Sequence, residues 1–432
     1  MNCKKYLIAL LSLQSFFYAF ANAQVLPNAS PNMVGISAEK ASQLKNEINS
    51  RVTKGELPGA VLMVVRNQKI AIHEAIGFRD VADKSPMQKD SIFRIASMTK
   101  PITTAAALQL MEQGRLSLED PVAKFLPEFS NVKVGVEKLN DKGNKELVLE
   151  APLKKMTIQD LMRHTSGLTF GWEENALVDQ LYKENKLFNA DLTLEEQIKK
   201  LAALPLKYQP GTTWEYGMST EVLGRILEVV SGKPLDVFLD ETILTPLGMT
   251  DTQFGASEAK LSRMAESQID PKTGRRFITI ATGKKSRGYG GGGLTSTAMD
   301  YAKFCQMILN NGELNGRTIL SRKSVELMTA NHLPSNVVVP NMYLQDDGWG
   351  AITPIPNSFG TGFGLGFSVR LESGKHPLPG SVGDLFWLGG LGTSFVIDPK
   401  EKLILILLTQ QPNLLIEHHR LLRQMGYSML IN

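Results

Sequence analysis

The amino-acid sequence predicts an α+β protein in which an antiparallel sheet, flanked by helices, carries an inserted and mostly helical lobe. Two apolar runs separated by a short polar turn indicate a β-hairpin over residues 62–76. A second strong strand signal, the run LILILLT, lies at residues 403–409. Residues 116–288, between these signals, have a mainly helical pattern interrupted by Pro and Gly. If the early and late strands share one sheet, the middle of the chain is an insertion.

The N-terminal segment, residues 1–23, predicts a secretory signal peptide. Lys4 and Lys5 precede an apolar core, and an Ala-x-Ala cleavage pattern comes directly before Gln24. The apolar core is too short, and too well equipped with a cleavage site, for a membrane span. We therefore expect export across the inner membrane to the periplasm.

The rest of the chain is long enough for two domains or one large two-lobed unit. We predict a discontinuous α/β domain of residues 24–115 and 290–432, and an inserted, mostly helical domain of residues 116–289. Within the insertion, residues 131–153 are polar and alternate in charge, which favours an exposed hairpin or excursion. Residues 414–430 predict a C-terminal helix.

Charge and cysteine content narrow the range of functions. The chain has 47 Lys and Arg against 43 Asp and Glu, with the signs interspersed, so we expect neither nucleic acid nor a membrane surface as a partner. Cys305 is the only cysteine outside the signal segment, and its apolar helical spacing favours a buried position over a reactive thiol. We expect a small-molecule substrate, and the sequence makes no prediction of oligomeric state.

No motif indicates a metal site or a cofactor. The six histidines form no H-E-x-x-H motif and no Cys/His cluster. We expect His164 to be a structural, hydrogen-bonding residue, and His418 and His419 to lie on the surface of the C-terminal helix. There is no G-x-S-x-G elbow, which argues against an α/β-hydrolase. Residues 288–293 match G-x-G-x-x-G but follow a basic segment instead of a strand, which favours close backbone approach over a dinucleotide site.

The tetrapeptide SMTK places the hydroxyl of Ser97 and the amine of Lys100 three residues apart, at the start of an apolar, helix-forming run that stops at Gly114. On one helix face their Cβ atoms are about 5–6 Å apart, so the amine reaches the hydroxyl and activates it as a nucleophile. The same spacing recurs in polar, charge-mixed segments, where helix capping is the better interpretation. The serines of those segments are Ser37, Ser42, Ser130 and Ser257.

Two further segments supply groups that such a serine needs. Tyr216 follows a Pro-Gly turn and precedes a helical run over residues 219–230. The segment WLGG, residues 387–390, precedes an apolar, β-branched stretch at residues 394–398 that predicts a strand at a sheet edge. Either segment alone is ordinary, since a tyrosine after a turn is usually a packed aromatic and a Gly pair usually marks a bend.

Taken in order, Ser-x-x-Lys, Tyr-x-x and Trp-x-Gly resemble the three active-site motifs of the serine β-lactamase and penicillin-binding protein superfamily. The resemblance is closest to the class C branch, with its family VIII carboxylesterases, and it covers residues 38–411. It implies a β-lactamase/transpeptidase-like fold and a covalent acyl-enzyme mechanism. Further stretches that resemble the family are RHTSGL (163–168), GGGGLTST (290–297), GFGLGF (362–367) and GTSF (392–395).

The resemblance also implies catalytic roles. Ser97 is expected to attack the substrate carbonyl, and Lys100 with Tyr216 to remove and redistribute its proton. Neither amine nor phenol is a base at neutral pH unless its neighbours make it one. The backbone N–H groups of Ser97 and Gly390 are expected to form the oxyanion hole.

Met218, Gly389 and Trp387 are the expected substrate-binding residues, and two of them depart from the β-lactamase pattern. Met218 occupies a position where the lactamases usually have Asn, and Trp387 one where they have a Lys that helps to hold the substrate carboxylate. Both changes look more like the esterase branch, so we expect a carboxylesterase for small apolar acyl esters. The alternatives are a β-lactamase or D-alanyl-D-alanine carboxypeptidase, and a non-catalytic penicillin-binding-like module. Aromatic candidates for the groove, without individual assignment, are Phe170, Trp172, Tyr182, Phe188 and Trp349.

Overall fold

The structure is a computed structural model, and it describes residues 26–189, 191–278, 288–337, 339 and 360–431. The predicted signal peptide and Trp349 lie outside these residues. Within the described ranges, no helix combines the length and the apolar composition that crossing a bilayer requires.

Most strands form one antiparallel sheet that joins the two ends of the chain. The strands are β1 (Gly59–Arg66), β2 (Lys69–Asp80), β3 (Ser85–Pro86), β4 (Phe93–Arg94), β5 (Val134–Leu139), β6 (Lys145–Glu150), β7 (Gln253–Phe254), β8 (Leu294–Ser296), β9 (Glu313–Leu314), β10 (Arg317–Thr318), β11 (Thr361–Phe363), β12 (Ser368–Arg370), β13 (Leu385–Gly389), β14 (Thr393–Asp398) and β15 (Leu403–Thr409). The main sheet has the order β11-β12-β13-β14-β15-β1-β2-β3. The early and late strands therefore share one sheet, as the sequence predicts.

Helices cover the sheet and fill the insertion. They are α1 (Ala38–Thr53), α2 (Thr99–Glu112), α3 (Ile158–Met162), α4 (Leu177–Glu184), α5 (Leu194–Ala202), α6 (Ser219–Ser231), α7 (Leu235–Leu239), α8 (Thr245–Leu247), α9 (Ala298–Leu309), α10 (Arg322–Thr329) and α11 (Leu415–Ser428). A π-helical turn, Asp240–Leu244, joins α7 to α8. The predicted helices after Ser97, after Met218 and at the C-terminus are all present.

The predicted hairpin is formed by β1 and β2. Asn67 and Gln68, between the two strands, have φ angles of 51° and 62°, the left-handed conformation of a tight hairpin turn. On its other side β1 pairs with β15 from Ala60 opposite Thr409 to Arg66 opposite Leu403. The turn at Asn67 and Gln68 therefore forms the predicted hairpin, and the pairing of β1 with β15 joins this hairpin to the C-terminal strand.

Both faces of the central strands are buried. Val61 and Met63 belong to the larger core, which also contains side chains of α2 and α9. Leu62 and Val64 belong to a second core with side chains of α1 and α11. Because helices cover both faces, the central strands are continuously apolar instead of alternating, which explains the run LILILLT in β15.

The inserted segment carries helices α3–α8 and the hairpin β5–β6. This hairpin lies within residues 131–153, where the sequence predicts a polar excursion. A small sheet, β4-β8-β7, ties the insertion to the strand that leads into α2: Phe93 pairs with Ser296, and Gln253 with Thr295. Most regular elements of the inserted segment are helices, but long irregular stretches separate them.

Two sequence interpretations are wrong. Strand β14 does not lie at a sheet edge, because β13 and β15 flank it. His418 and His419 are not on the surface: they are 1 % and 0 % exposed. Helix α11 packs against β14 and β15 on one side and against α1 on another, so two consecutive residues are both covered. Cys305 is buried in α9, as predicted.

Candidate active site

Ser97 lies where the chain leaves the small sheet and enters α2. A 3-10 turn, Ala96–Met98, precedes the helix, and Ala96 has a φ of 44°. A non-glycine residue in this region is strained, and such strain persists only where the surrounding structure holds it. Every residue of α2 from Thr99 to Leu108 is buried, so this part of the helix that follows Ser97 is enclosed on all sides.

Lys100 reaches Ser97 as the three-residue spacing predicts. Its side chain is 1 % exposed, and Nζ lies 3.2 Å from Ser97 Oγ. Nζ also donates to the backbone carbonyl of Gly291 at 2.7 Å. The Tyr216 ring lies beneath the same amine, with 4.7 Å between Nζ and the ring centroid. Residues from three separate parts of the chain therefore meet at one amine.

The Tyr216 ring lies in an aromatic enclosure. Its hydroxyl is buried and has no hydrogen-bond partner among the described residues. Trp387 is 2 % exposed, and its indole N–H likewise has no partner there. Trp387 is therefore an apolar wall beside Tyr216. The rings with centroids 4.9–6.0 Å from that of Tyr216 are those of His164, Phe170, Trp172, Trp214 and Trp387.

His164 differs from its sequence interpretation, because its ring forms no hydrogen bond within the described structure. The backbone takes the structural role instead: the His164 carbonyl accepts from the N–H of Glu215 at 2.9 Å. Burial, and then the positive charge of Lys100, lower the pKa of His164 well below its ordinary value. The ring is therefore neutral and packs as an aromatic, with its centroid 4.9 Å from that of Tyr216.

The glycine run that follows residue 287 approaches the site closely, as the sequence predicts. Thr103 in α2 donates its hydroxyl to the carbonyl of Gly290 at 2.7 Å. A Cβ on Gly290 would lie 2.1 Å from the carbonyl oxygen of Thr220 in α6, which no side chain permits. The run therefore passes between α2 and α6, and it presents the carbonyl of Gly291 to Lys100.

Glu221 is a buried acid that sequence analysis missed. It is 2 % exposed, lies in α6, and has one carboxylate oxygen without a hydrogen-bond partner among the described residues. Burial raises its pKa, and the charge of Lys100 opposes that rise. A Cβ on Gly291 would lie 2.5 Å from Glu221 Oε1, so the glycine leaves room for the acid. The presence of an acidic residue inside the apolar run of α6 is the sequence signal that could have identified it.

The end of β13 packs against the turn that precedes Ser97. A Cβ on Gly389 would lie 2.2 Å from the carbonyl oxygen of Ile95, so packing alone requires glycine there. The next residue, Gly390, is buried, and its backbone N–H donates to no other described residue. Met218 precedes α6, and its side chain is fully buried in the larger core.

A model of the Beta-lactamase family matches residues 44–424. The chain belongs to this family. It is 36 % identical over 363 residues to protein Rv1367c of Mycobacterium tuberculosis, covering 82 % of this chain and 86 % of that protein. Esterase EstB of Burkholderia gladioli is 29 % identical, covering 86 % of this chain and 91 % of EstB.

The solved structures place the fold in the same family. Simvastatin synthase LovD from Aspergillus terreus superposes with a TM-score of 0.74 at 26 % identity, covering 91 % of this chain and 99 % of LovD. The predicted β-lactamase/transpeptidase-like fold is thereby confirmed, and we assign the chain to the hydrolases of the Beta-lactamase family.

Elsewhere this Beta-lactamase family member buries a charged cluster that sequence analysis also missed. Lys207 Nζ lies 3.0–3.1 Å from carboxylate oxygens of Glu173, Asp179 and Glu215. Burial lowers the pKa of Lys207, but the surrounding carboxylates outweigh it and the net shift is upward. Since Glu215 precedes Tyr216, the cluster anchors the segment that carries the phenol. Within the described ranges, no group of three His, Cys, Asp or Glu side chains is arranged to hold a metal ion.

Proposed function

We propose that the chain is a serine hydrolase that works through an acyl-enzyme on Ser97, and that its substrates are small apolar acyl esters. The observation that carries this proposal is the buried amine of Lys100, which lies 3.2 Å from Ser97 Oγ and above the ring of Tyr216. A buried amine beside a hydroxyl at the head of a helix is suited to activating a nucleophile.

In the proposed reaction, Ser97 Oγ forms a bond to the ester carbonyl carbon while its proton passes to the pair Lys100 and Tyr216. The carbonyl oxygen becomes an anion, and the backbone N–H groups of Ser97 and Gly390 stabilise it. When the tetrahedral species collapses, the carbon–oxygen bond to the alcohol breaks and the alcohol leaves with the proton. Water, activated by Tyr216, then releases the acid and restores Ser97.

The preference for esters is supported by the wall beside Tyr216. Trp387 offers neither a charge nor an exposed donor, and Met218 is buried in the core. Among the described residues, Lys100 is the cation that lies over the Tyr216 ring. A site of this kind favours an acyl group that is neutral and apolar next to the ester carbonyl over a β-lactam, whose carboxylate would meet the apolar wall of Trp387. The similarity to esterase EstB points in the same direction.

One set of assays tests the proposal. Purified protein is compared with Ser97→Ala on p-nitrophenyl butyrate, nitrocefin and a D-alanyl-D-alanine peptide, and is labelled with a fluorophosphonate. We expect hydrolysis of the ester, its loss in Ser97→Ala, and a single adduct on the peptide that carries Ser97. An adduct elsewhere, or full activity in Ser97→Ala, rejects Ser97 as the nucleophile.

The assays with nitrocefin and with the D-alanyl-D-alanine peptide test the alternative functions. Faster turnover of nitrocefin or of the peptide promotes the β-lactamase or carboxypeptidase, and no turnover at all promotes a binding module. The Lys100→Arg variant shows whether residue 100 acts as a proton acceptor or only as a cation, because arginine stays protonated. We expect the Lys100→Arg variant to be inactive. Periplasmic export is a separate proposal, and N-terminal sequencing that begins at Gln24 would support it.

A further inference from the structure

An apolar cavity lies one aromatic ring away from Lys100. It has a volume of about 390 Å³, and Phe170, Leu187 and Phe188 form part of its lining. Phe170 is also a wall of the reaction centre: its centroid is 5.7 Å from Lys100 Nζ and 5.4 Å from that of Tyr216. The same ring therefore faces both spaces.

Phe188 extends this wall away from the reaction centre. Its ring centroid lies 5.8 Å from that of Phe170 and 6.1 Å from that of Tyr289. Tyr289 precedes the glycines whose carbonyls contact α2, so Phe188 spans two walls of the site. Phe188 is nevertheless 52 % exposed. An exposed aromatic ring at the mouth of an apolar cavity gains from being covered by an apolar group.

The charged residues that line the cavity are both basic. Lys183 and Lys186 line it, and no carboxylate does. Lys183 is 3.9 Å from Glu174, and both side chains are largely exposed, so this pair is weak. No carboxylate of the described residues forms an ion pair with Lys186. An apolar interior with two cations around it is complementary to a chain that is apolar along its length and anionic at its end.

We propose that this cavity binds the acyl chain of the ester, and that Lys183 and Lys186 select acyl chains that end in a carboxylate. The inference narrows the apolar acyl esters of the proposed function to monoesters of a medium-length dicarboxylic acid, whose acyl chain is apolar except at the end far from the ester. The assignment rests on the proposed esterase function, since it names the acyl group that Ser97 receives. The distal carboxylate lies at the lysines, and the apolar wall of Trp387 faces the ester end.

Three probes test the cavity: the p-nitrophenyl esters of acetic acid, octanoic acid and, as the monoester, octanedioic acid. We expect Lys183→Gln/Lys186→Gln to lower the ratio of kcat/KM for octanedioate to that for octanoate by about three- to tenfold. The effect should shrink at about 1 M salt, where exposed charges are screened. Lys200→Gln, an exposed lysine on α5, is the matched control and should leave the ratio unchanged.

The Phe188→Ala variant tests whether the apolar lining of the cavity binds the acyl chain. We expect kcat/KM to fall roughly tenfold for both long esters and to stay constant for acetate, which is too short to reach Phe188. A ratio that moves less than about twofold in the double lysine variant overturns the charge selection. An equal loss on acetate in Phe188→Ala overturns the acyl-chain site.

Binding of octanedioate to the Ser97→Ala variant tests the cavity assignment independently of the proposed esterase function. Octanedioate is titrated while tryptophan fluorescence is followed, because Trp172 stacks on Phe170 with 4.8 Å between ring centroids. Saturable binding that weakens when Lys186→Gln is added supports the cavity even if no ester is hydrolysed. If acetate is hydrolysed and octanedioate does not bind, the cavity assignment fails and the esterase remains.

Discussion

Ser97 and Lys100 are close in sequence, but the groups that define their surroundings come from distant segments. Lys100 donates to Gly291, lies over the ring of Tyr216, and is close enough to the buried Glu221 to affect its pKa. The local spacing therefore brings the amine to the hydroxyl, whereas the charge and polarity around them depend on packing.

Glu221→Gln tests whether the buried acid influences proton transfer by Lys100. A charged Glu221 carboxylate attracts the nearby amine of Lys100, and the neutral glutamine removes that attraction. We expect the acidic limb of the pH profile of kcat/KM for p-nitrophenyl butyrate to move to lower pH, with the fold retained. Glu228→Gln, on the same helix but paired with Arg225, is the control. An acidic limb that does not move in Glu221→Gln refutes the coupling.

Trp387→Lys tests the apolar wall, with Trp387→Leu as the matched loss of the ring. Both variants remove a buried indole that contacts Tyr216, so both should lose stability and absolute rate. Only the lysine adds a cation for a β-lactam carboxylate, and a charged hydrogen bond corresponds to roughly ten- to a hundredfold. We expect kcat/KM for nitrocefin relative to p-nitrophenyl butyrate to rise in the lysine variant over the leucine variant. Equal ratios would show that position 387 does not set the substrate class.

At the scale of elements, the site depends on how closely the glycine run packs between α2 and α6. Gly224 in α6 faces Gly290, and a Cβ on either one would lie within 3.0 Å of the other's backbone. The helix and the run therefore approach each other without side chains between them. This close approach places the carbonyl of Gly291 at Lys100.

Gly290→Ala should disrupt this packing, because its Cβ would lie 2.1 Å from the carbonyl oxygen of Thr220. Since backbone must move to relieve the clash, we expect a loss of about 1–3 kcal/mol in the free energy of unfolding, together with reduced ester hydrolysis. Gly292→Ala is the control within the same run, because the nearest atoms lie 4.0 Å from its Cβ. Urea unfolding measures the free energy of unfolding of both variants. Equal values for Gly290→Ala and Gly292→Ala would contradict the packing argument.

At the scale of the whole molecule, buried histidines link folding to pH. Burial lowers the pKa of His164 and His419 well below their ordinary values, and lowers that of His376 and His418 to about 3. In the unfolded chain a histidine titrates near 6.5, so below about pH 6.5 the unfolded state binds more protons than the native state. The free energy of unfolding therefore falls as the pH drops from about 6.5 toward 3, by up to about 1.4 kcal/mol per pH unit for each histidine.

His418→Leu isolates one of these groups, which α11 buries near Arg51 of α1. Leucine does not titrate, so we expect the free energy of unfolding of the variant to depend less steeply on pH than that of the wild type. The difference in slope should approach about 1.4 kcal/mol per pH unit between about pH 6 and pH 4. Urea unfolding across that range measures both slopes, and parallel pH dependences would exclude His418 as a contributor.

The sequence alone predicted the features that depend on local pattern. The hairpin β1–β2, the strand β15, the helix after Ser97 and the reach of Lys100 all follow from periodicity, turn residues or an i,i+3 spacing. The family resemblance added the β-lactamase/transpeptidase-like fold, which the solved structures confirm. The division into a discontinuous domain and an inserted domain of residues 116–289 stays a prediction. The roles of Ser97, Lys100 and Tyr216 remain predictions until the variants are measured.

Tertiary packing was needed for everything that depends on which distant elements meet. The aromatic enclosure of Tyr216, the acid Glu221 behind Gly291 and the burial of His418 join segments far apart in the chain. A single sequence shows that α6 contains an acid and α11 two histidines, but not that other elements cover them. Burial is a property of the neighbours of a side chain, and those neighbours are set by the packing of the whole molecule.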